Sequence, residues 1–89
     1  MHQTLIPQEK LAAILLHPSM MGAHLRITGD VEPSSGYIDR VSQHGTQVVI
    51  TYNGEDEEVA LNLLDTEGLS VGPRLEFRTH VLMLSIIRN

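Results

Sequence analysis

Three groups of side chains in this chain of 89 residues are of types that do chemistry: the acidic run Glu55-Asp56-Glu57-Glu58, five histidines, and six Lys and Arg. The acidic run could hold a divalent cation or offer a negative face to a basic partner. A calcium loop, however, needs oxygen ligands at alternating positions and a closing bidentate carboxylate, and a continuous run lacks that spacing. It reads instead as a solvated hairpin tip whose charges oppose edge-to-edge aggregation. His2, His17, His24, His44 and His80 include no pair spaced for one face of one element, and no HExxH is present. They read as scattered surface groups, with His80 the one whose surroundings matter most.

The chain has no cysteine, which excludes disulfides, thiolate zinc sites and cysteine nucleophiles. Its serines (Ser19, Ser34, Ser35, Ser42, Ser70, Ser85) lack a nucleophile elbow, and neither a phosphate-cradling GxxxxGKS/T nor a GxGxxG occurs. No catalytic residue, metal ligand or cofactor is assigned, and the expectation is a protein that is not an enzyme. The formal net charge is −5, which supplies little of the positive field that binding a phosphate backbone relies on. Nucleic acid is therefore not the expected partner. The N-terminus lacks a basic stretch followed by a long apolar core, and the longest apolar run, residues 11–16, is too short to span a bilayer. A cytoplasmic protein without a membrane partner is expected.

The elements that must position any site follow from hydrophobic spacing. At 42% hydrophobic and 19% charged, the chain has the composition of one globular domain covering residues 1–89. With only Phe77, Tyr37 and Tyr52 as aromatics, its core must be aliphatic, and a small core of that kind is often supplemented by oligomerisation. Residues 4–17 read as a helix: Thr4 suits the N-cap, Pro7 the first turn, and Leu11, Ile14 and Leu15 form a stripe. Pro18 should end it at His17. Strands are predicted over residues 23–28, 37–42, 46–52, 57–64 and 74–88. Residues 29–36 read as a surface loop, and residues 65–73 as a turn-rich connection. Around Asn53-Gly54, a four-residue loop sets Ile50 opposite Val59 and Val48 opposite Leu61, pairing apolar with apolar.

The last strand is the most informative. Residues 74–79 alternate, with Arg74, Glu76 and Arg78 on a wet face and Leu75 and Phe77 on a dry one. From Val81 onward both faces are apolar, Val81, Met83 and Ile87 sharing one with Ser85, and Leu82, Leu84 and Ile86 forming the other. Such a strand is stable only when both faces are covered. One cover comes from the sheet and the other from a helix or a second chain. Val81, Met83, Ser85 and Ile87 are accordingly the expected contact surface of a homodimer. A strand over 74–88 is also long, so a bend near Thr79-His80 is expected.

Two partial resemblances add to this. A helix followed by a meander containing Gly36-Tyr37-Ile38-Asp39-Arg40-Val41 is similar, over about residues 7–64, to the Sm-like small barrels, which bind RNA in rings. Val41-Ser42-Gln43-His44-Gly45, with a later loop at Gly72 and Leu75, resembles part of the PilZ domain pattern, a family that binds cyclic dinucleotides. Arg40 stands where that family has Asp or Asn, and no RxxxR precedes it, Arg26 being the only upstream arginine.

The expected fold is α+β and mostly β: a small antiparallel barrel or strongly curved sheet of about five strands, with one N-terminal helix packed against it. The expected function is a non-enzymatic interaction or regulatory module acting through protein–protein contacts and self-association. The alternative is a small-ligand or nucleotide-binding barrel using Arg40, His44, Arg74 and Arg78.

Overall fold

A computed structural model describes residues 2–88. Eight strands form one antiparallel sheet: β1 (Gln3–Ile6), β2 (His24–Gly29), β3 (Ser34–His44), β4 (Gln47–Tyr52), β5 (Glu57–Asn62), β6 (Glu67–Val71), β7 (Arg74–Arg78) and β8 (Leu82–Ile87). Their order across the sheet is β1-β6-β7-β8-β2-β3-β4-β5, which leaves β1 and β5 as free edges. The expected barrel or strongly curved sheet of about five strands is therefore corrected: the strands number eight, and they form one open sheet, not a closed barrel. What holds is the mostly-β composition with one short helix, α1 (Leu11–Leu15).

The three extra strands have separate causes. Residues 4–6 lie in β1 rather than in a helix because their backbone pairs with β6, Thr4 opposite Ser70 and Ile6 opposite Gly68. Pro7, at φ −57° and ψ 141°, then keeps the chain extended. A ladder of that kind satisfies backbone groups that a local N-cap pattern would have assigned to a helix. α1 ends as Pro18 requires, with His17 extended. The turn-rich stretch 65–73 contains β6, whose Gly68 reads as a breaker but serves close packing. A Cβ there would come within 2.5 Å of the Leu11 side chain and 3.2 Å of Ile6. The long C-terminal strand is two strands. Thr79 reverses the chain: its backbone N–H donates to the Leu82 carbonyl at 2.9 Å, and its hydroxyl accepts from the Leu82 N–H at 2.9 Å and the Val81 N–H at 3.3 Å. A hydroxyl turn of this sort needs neither Gly nor Pro, so no breaker marks it. The loop expected at 29–36 is shorter, since β3 begins at Ser34.

The meander has the apolar-to-apolar register, with Val48 opposite Leu61 and Ile50 opposite Val59 across a loop of residues 53–56. A flat sheet of eight strands would be a plate roughly 34 Å wide at ~4.8 Å per strand. The principal extents are instead 32 × 30 × 28 Å, so the sheet rolls over its own inner face. That face carries Leu25, Ile27, Val48, Ile50, Leu75, Phe77, Leu84 and Ile86, all buried in one core with Leu11 and Leu15 of α1. α1 thus fills space inside the roll and leaves the outer face of β8 uncovered. Among the described residues no helix is long and apolar enough to cross a membrane.

Where β2 ends, Gly29 has φ +111°, and a Cβ there would collide with the Val81 carbonyl oxygen. Gly29→Ala is expected to destabilise the fold by about 1–3 kcal/mol, the cost of holding an L-residue in that strained region. A urea titration measures it, and an unchanged midpoint would contradict the tight seat of β2 on the 79–81 turn.

Candidate functional site

The outer face of β6, β7, β8 and β2 gathers the most concentrated chemistry among the described residues. Strand register sets it. Glu76 of β7 stands opposite Ser85 of β8, which stands opposite Arg26 of β2; Leu69 of β6 completes the row. One step along the strands, Arg78 faces Met83 and Met83 faces Thr28. One step the other way, Arg74 faces Ile87 and Ile87 faces His24. Residues paired across an antiparallel ladder project from the same side, so Arg26, Arg74 and Arg78 share one surface with Glu76 at its centre.

Glu76 is 6% exposed, which is unusual for a carboxylate on the outside of a sheet. Both of its oxygens are engaged: Oε2 lies 3.0 Å from Arg74 Nη2, and Oε1 accepts from Arg78 Nη2 at 2.7 Å. Arginine forks supply the charge-assisted donors that keep a desolvated carboxylate tolerable. The guanidinium side chains stay 39% and 45% exposed, so the pair of ion pairs is dry on the acid side and wet on the basic side. Arg74 Nε is buried without a hydrogen-bond partner among the described residues. Glu67 stands opposite Arg78 in register at the margin of the group. Arg26, by contrast, is exposed and forms no ion pair among the described residues. With Thr28, Pro33, Ser34 and Ser35 it lines an open depression of about 420 Å³.

Apolar groups rim these charges. Ile87 is 48% exposed, and Tyr37 is also exposed, with its ring stacked edge-on to His24 at 5.3 Å. Met83 and Ser85 are half-buried. Each has one arginine as a cross-strand neighbour, Arg78 for Met83 and Arg26 for Ser85, and an arginine's aliphatic stem can shield apolar surface while its charged head stays in water.

The residues named from sequence therefore divide. Met83, Ser85 and Ile87 lie together on this outer face, with Arg74 and Arg78 beside them. Val81 is set apart in the turn before β8, exposed at 43%. Arg40 and His44 lie on β3, with β8 and β2 between them and β7. Arg40 pairs with Glu55 at 3.3 Å in the open, and His44 bonds Ser42 at 3.3 Å near a hairpin tip. The four ligand candidates thus do not surround one mouth. Arg26 and Glu76 are the members that sequence reasoning passed over. The Arg-x-Glu-x-Arg alternation in β7 pointed to a charged row, but the partnership with Arg26 exists only through β8.

The acidic run is built into its turn. Glu55 N–H donates to Asp39 Oδ2 at 2.7 Å, and Glu57 Oε2 accepts from Asn53 Nδ2 at 2.8 Å. His17, His24, His44 and His80 fall on separate segments, and among the described residues no three His, Asp or Glu groups gather to hold a metal ion. Comparison with family models, with curated proteins and with solved structures finds no match to this chain.

Proposed function

We propose that this protein is a non-enzymatic interaction module that binds a protein partner through the outer face of β7, β8 and β2. The observation that carries this reading is the composition of that face. Three of the chain's six Lys and Arg meet there, rimmed by Tyr37, Met83 and Ile87, in a molecule whose formal charge is −5. Arginine, tyrosine and methionine are the residues enriched where proteins dock. A rigid sheet holds them in fixed register, so little order is lost on contact.

The unpaired Arg26 favours an acidic partner. A second copy laid on this face would bring three more arginines against Glu76, which is already engaged, and Glu67 at the margin, whereas an acidic segment supplies several free carboxylates. Self-association through Met83, Ser85 and Ile87 is the competing form of the same proposal, and solution mass separates the two. The expected result is a monomer by light scattering across a dilution series. A fluorescent peptide alternating glutamate and tyrosine should bind that monomer, weaken with added salt, and lose about tenfold in affinity on Arg26→Glu. A stable dimer that Ile87→Asp splits would assign the face to self-contact instead. Arg26→Glu should leave stability within about 0.5 kcal/mol, because Arg26 is exposed and unpaired.

A second reading rests on the depression beside Arg26. The Arg26 guanidinium and the Thr28 and Ser35 hydroxyls are donors suited to a small oxyanion. A thermal-shift screen with inorganic phosphate and nucleotides tests it, since a ligand selective for the native state raises the melting temperature.

A further inference from the structure

The sheet is open, and β5 is a free edge that faces a groove rather than bulk solvent. The ladder with β4 fixes which backbone groups are unpaired. Leu63 N–H donates to the Thr46 carbonyl at 2.7 Å, continuing the register that pairs Gln47 with Asn62. In an antiparallel ladder, alternate residues turn both their N–H and C=O toward the partner. Leu61, Val59 and Glu57 therefore bond inward to β4, and Glu58 and Ala60 turn both groups to the free edge.

Opposite that edge stands a wall that belongs to other parts of the chain. Two adjoining depressions, of about 340 and 200 Å³, share Ala60 on one side and Leu82 on the other. Ile27, Tyr52 and Val59 are among the residues lining the first. Val31 and Val81, 41% and 43% exposed, stand on the far wall. The far wall comes from residues 79–82 and the β2–β3 loop, and no strand there pairs with β5. The groove thus joins two things that are seldom adjacent without an occupant: an unpaired strand edge and an apolar lining beside it.

Charge identifies the occupant. Glu32 and Glu58 line the first depression and Asp65 the second, while neither is lined by Lys or Arg. We infer that β5 accepts an extended segment of a partner protein as a ninth strand, with alternate apolar side chains in the groove and basic side chains against Glu32 and Glu58. Backbone bonds to Glu58 and Ala60 give such a strand its affinity, and alternate side chains give it specificity. The same glutamates disfavour a second copy of β5, because two identical acidic edges repel. This site is separate from the arginine face, lies on a different part of the sheet and asks for a ligand of opposite charge.

The test uses the full chain and a fluorescein-labelled peptide of about nine residues alternating lysine and valine, long enough for one typical strand. Saturable binding is expected by anisotropy, with the amides of Glu58 and Ala60 becoming protected from hydrogen exchange. A peptide N-methylated at alternate residues, which keeps the charge but loses backbone donors, should bind about tenfold or more weakly. Ala60→Pro should weaken the unmodified peptide comparably while leaving the melting temperature unchanged, since proline is tolerated where an edge N–H has no partner. Arg26→Glu should not weaken it, which keeps failure here distinct from failure of the arginine face. Equal binding of the N-methylated peptide, indifference to Ala60→Pro, or no binding up to about 1 mM, a free energy of only ~4 kcal/mol, would each overturn the inference.

Discussion

Phe77→Ala is expected to lower the free energy of unfolding by about 3–5 kcal/mol. Phe77 is the chain's one phenylalanine and is fully buried on the inner face of β7, opposite Leu84 of β8 and Gly68 of β6. Beyond Gly68 lie Ile6 and Leu11, so the ring sits where the rolled sheet, β1 and α1 converge. Removing it takes away apolar contact and leaves a cavity that a sheet paired on both sides cannot collapse to fill. Domains of this size are typically stable by only about 5–15 kcal/mol, so the loss is a large fraction of the whole. Urea titration of the two chains measures the difference as a shift in midpoint at constant slope. Phe77→Leu, which keeps most of the volume, should cost less than about 1.5 kcal/mol. A loss below about 1 kcal/mol for the alanine variant would show that the convergence is looser than described.

The second large effect belongs to the outer face. Glu76→Ala should destabilise the protein by about 3 kcal/mol, the lower end of the range for breaking a buried ion pair. The lower end applies because Arg74 and Arg78 keep 39% and 45% of their side chains in water and can rehydrate when their partner is lost. What remains is a surface with Arg26, Arg74 and Arg78 close together and no central carboxylate to hold them. The same variant therefore separates stability from binding. If the face receives acidic groups, Glu76→Ala should bind the glutamate–tyrosine peptide more tightly than the parent does, although it melts earlier. A substitution that removes one carboxylate and weakens the fold cannot raise affinity through improved folding, so the opposite signs are diagnostic. Weaker binding together with weaker folding would mean that Glu76 positions the arginines, and that their geometry outweighs their charge.

The two predictions lie on opposite faces of one strand, and that alternation was plain in the residues themselves. Leu75 and Phe77 inward, Arg74, Glu76 and Arg78 outward is a period-two pattern that only a strand with one wet face produces. The β4–β5 hairpin was equally legible, because one loop length alone matches Val48 and Ile50 to apolar partners, and a slip would have exposed them. These features depend on residues a few positions apart, and local spacing determines them.

Other features depend on which strands become neighbours. Residues 4–6 satisfied a helix cap pattern, yet pairing with β6 more than sixty residues away made them a strand. Gly68 resembled a turn residue until Leu11 and Ile6 were packed against it. Thr79 carried no breaker signal, and its backbone N–H and hydroxyl together turn one expected strand into β7 and β8. That reversal places Ser85 between Glu76 and Arg26, so the outer face owes its third arginine to sheet order. The open edge of β5 and the wall facing it likewise arise from how eight strands roll around one aliphatic core. Local alternation tells each side chain which way to face, and only long-range pairing decides which side chains then face it.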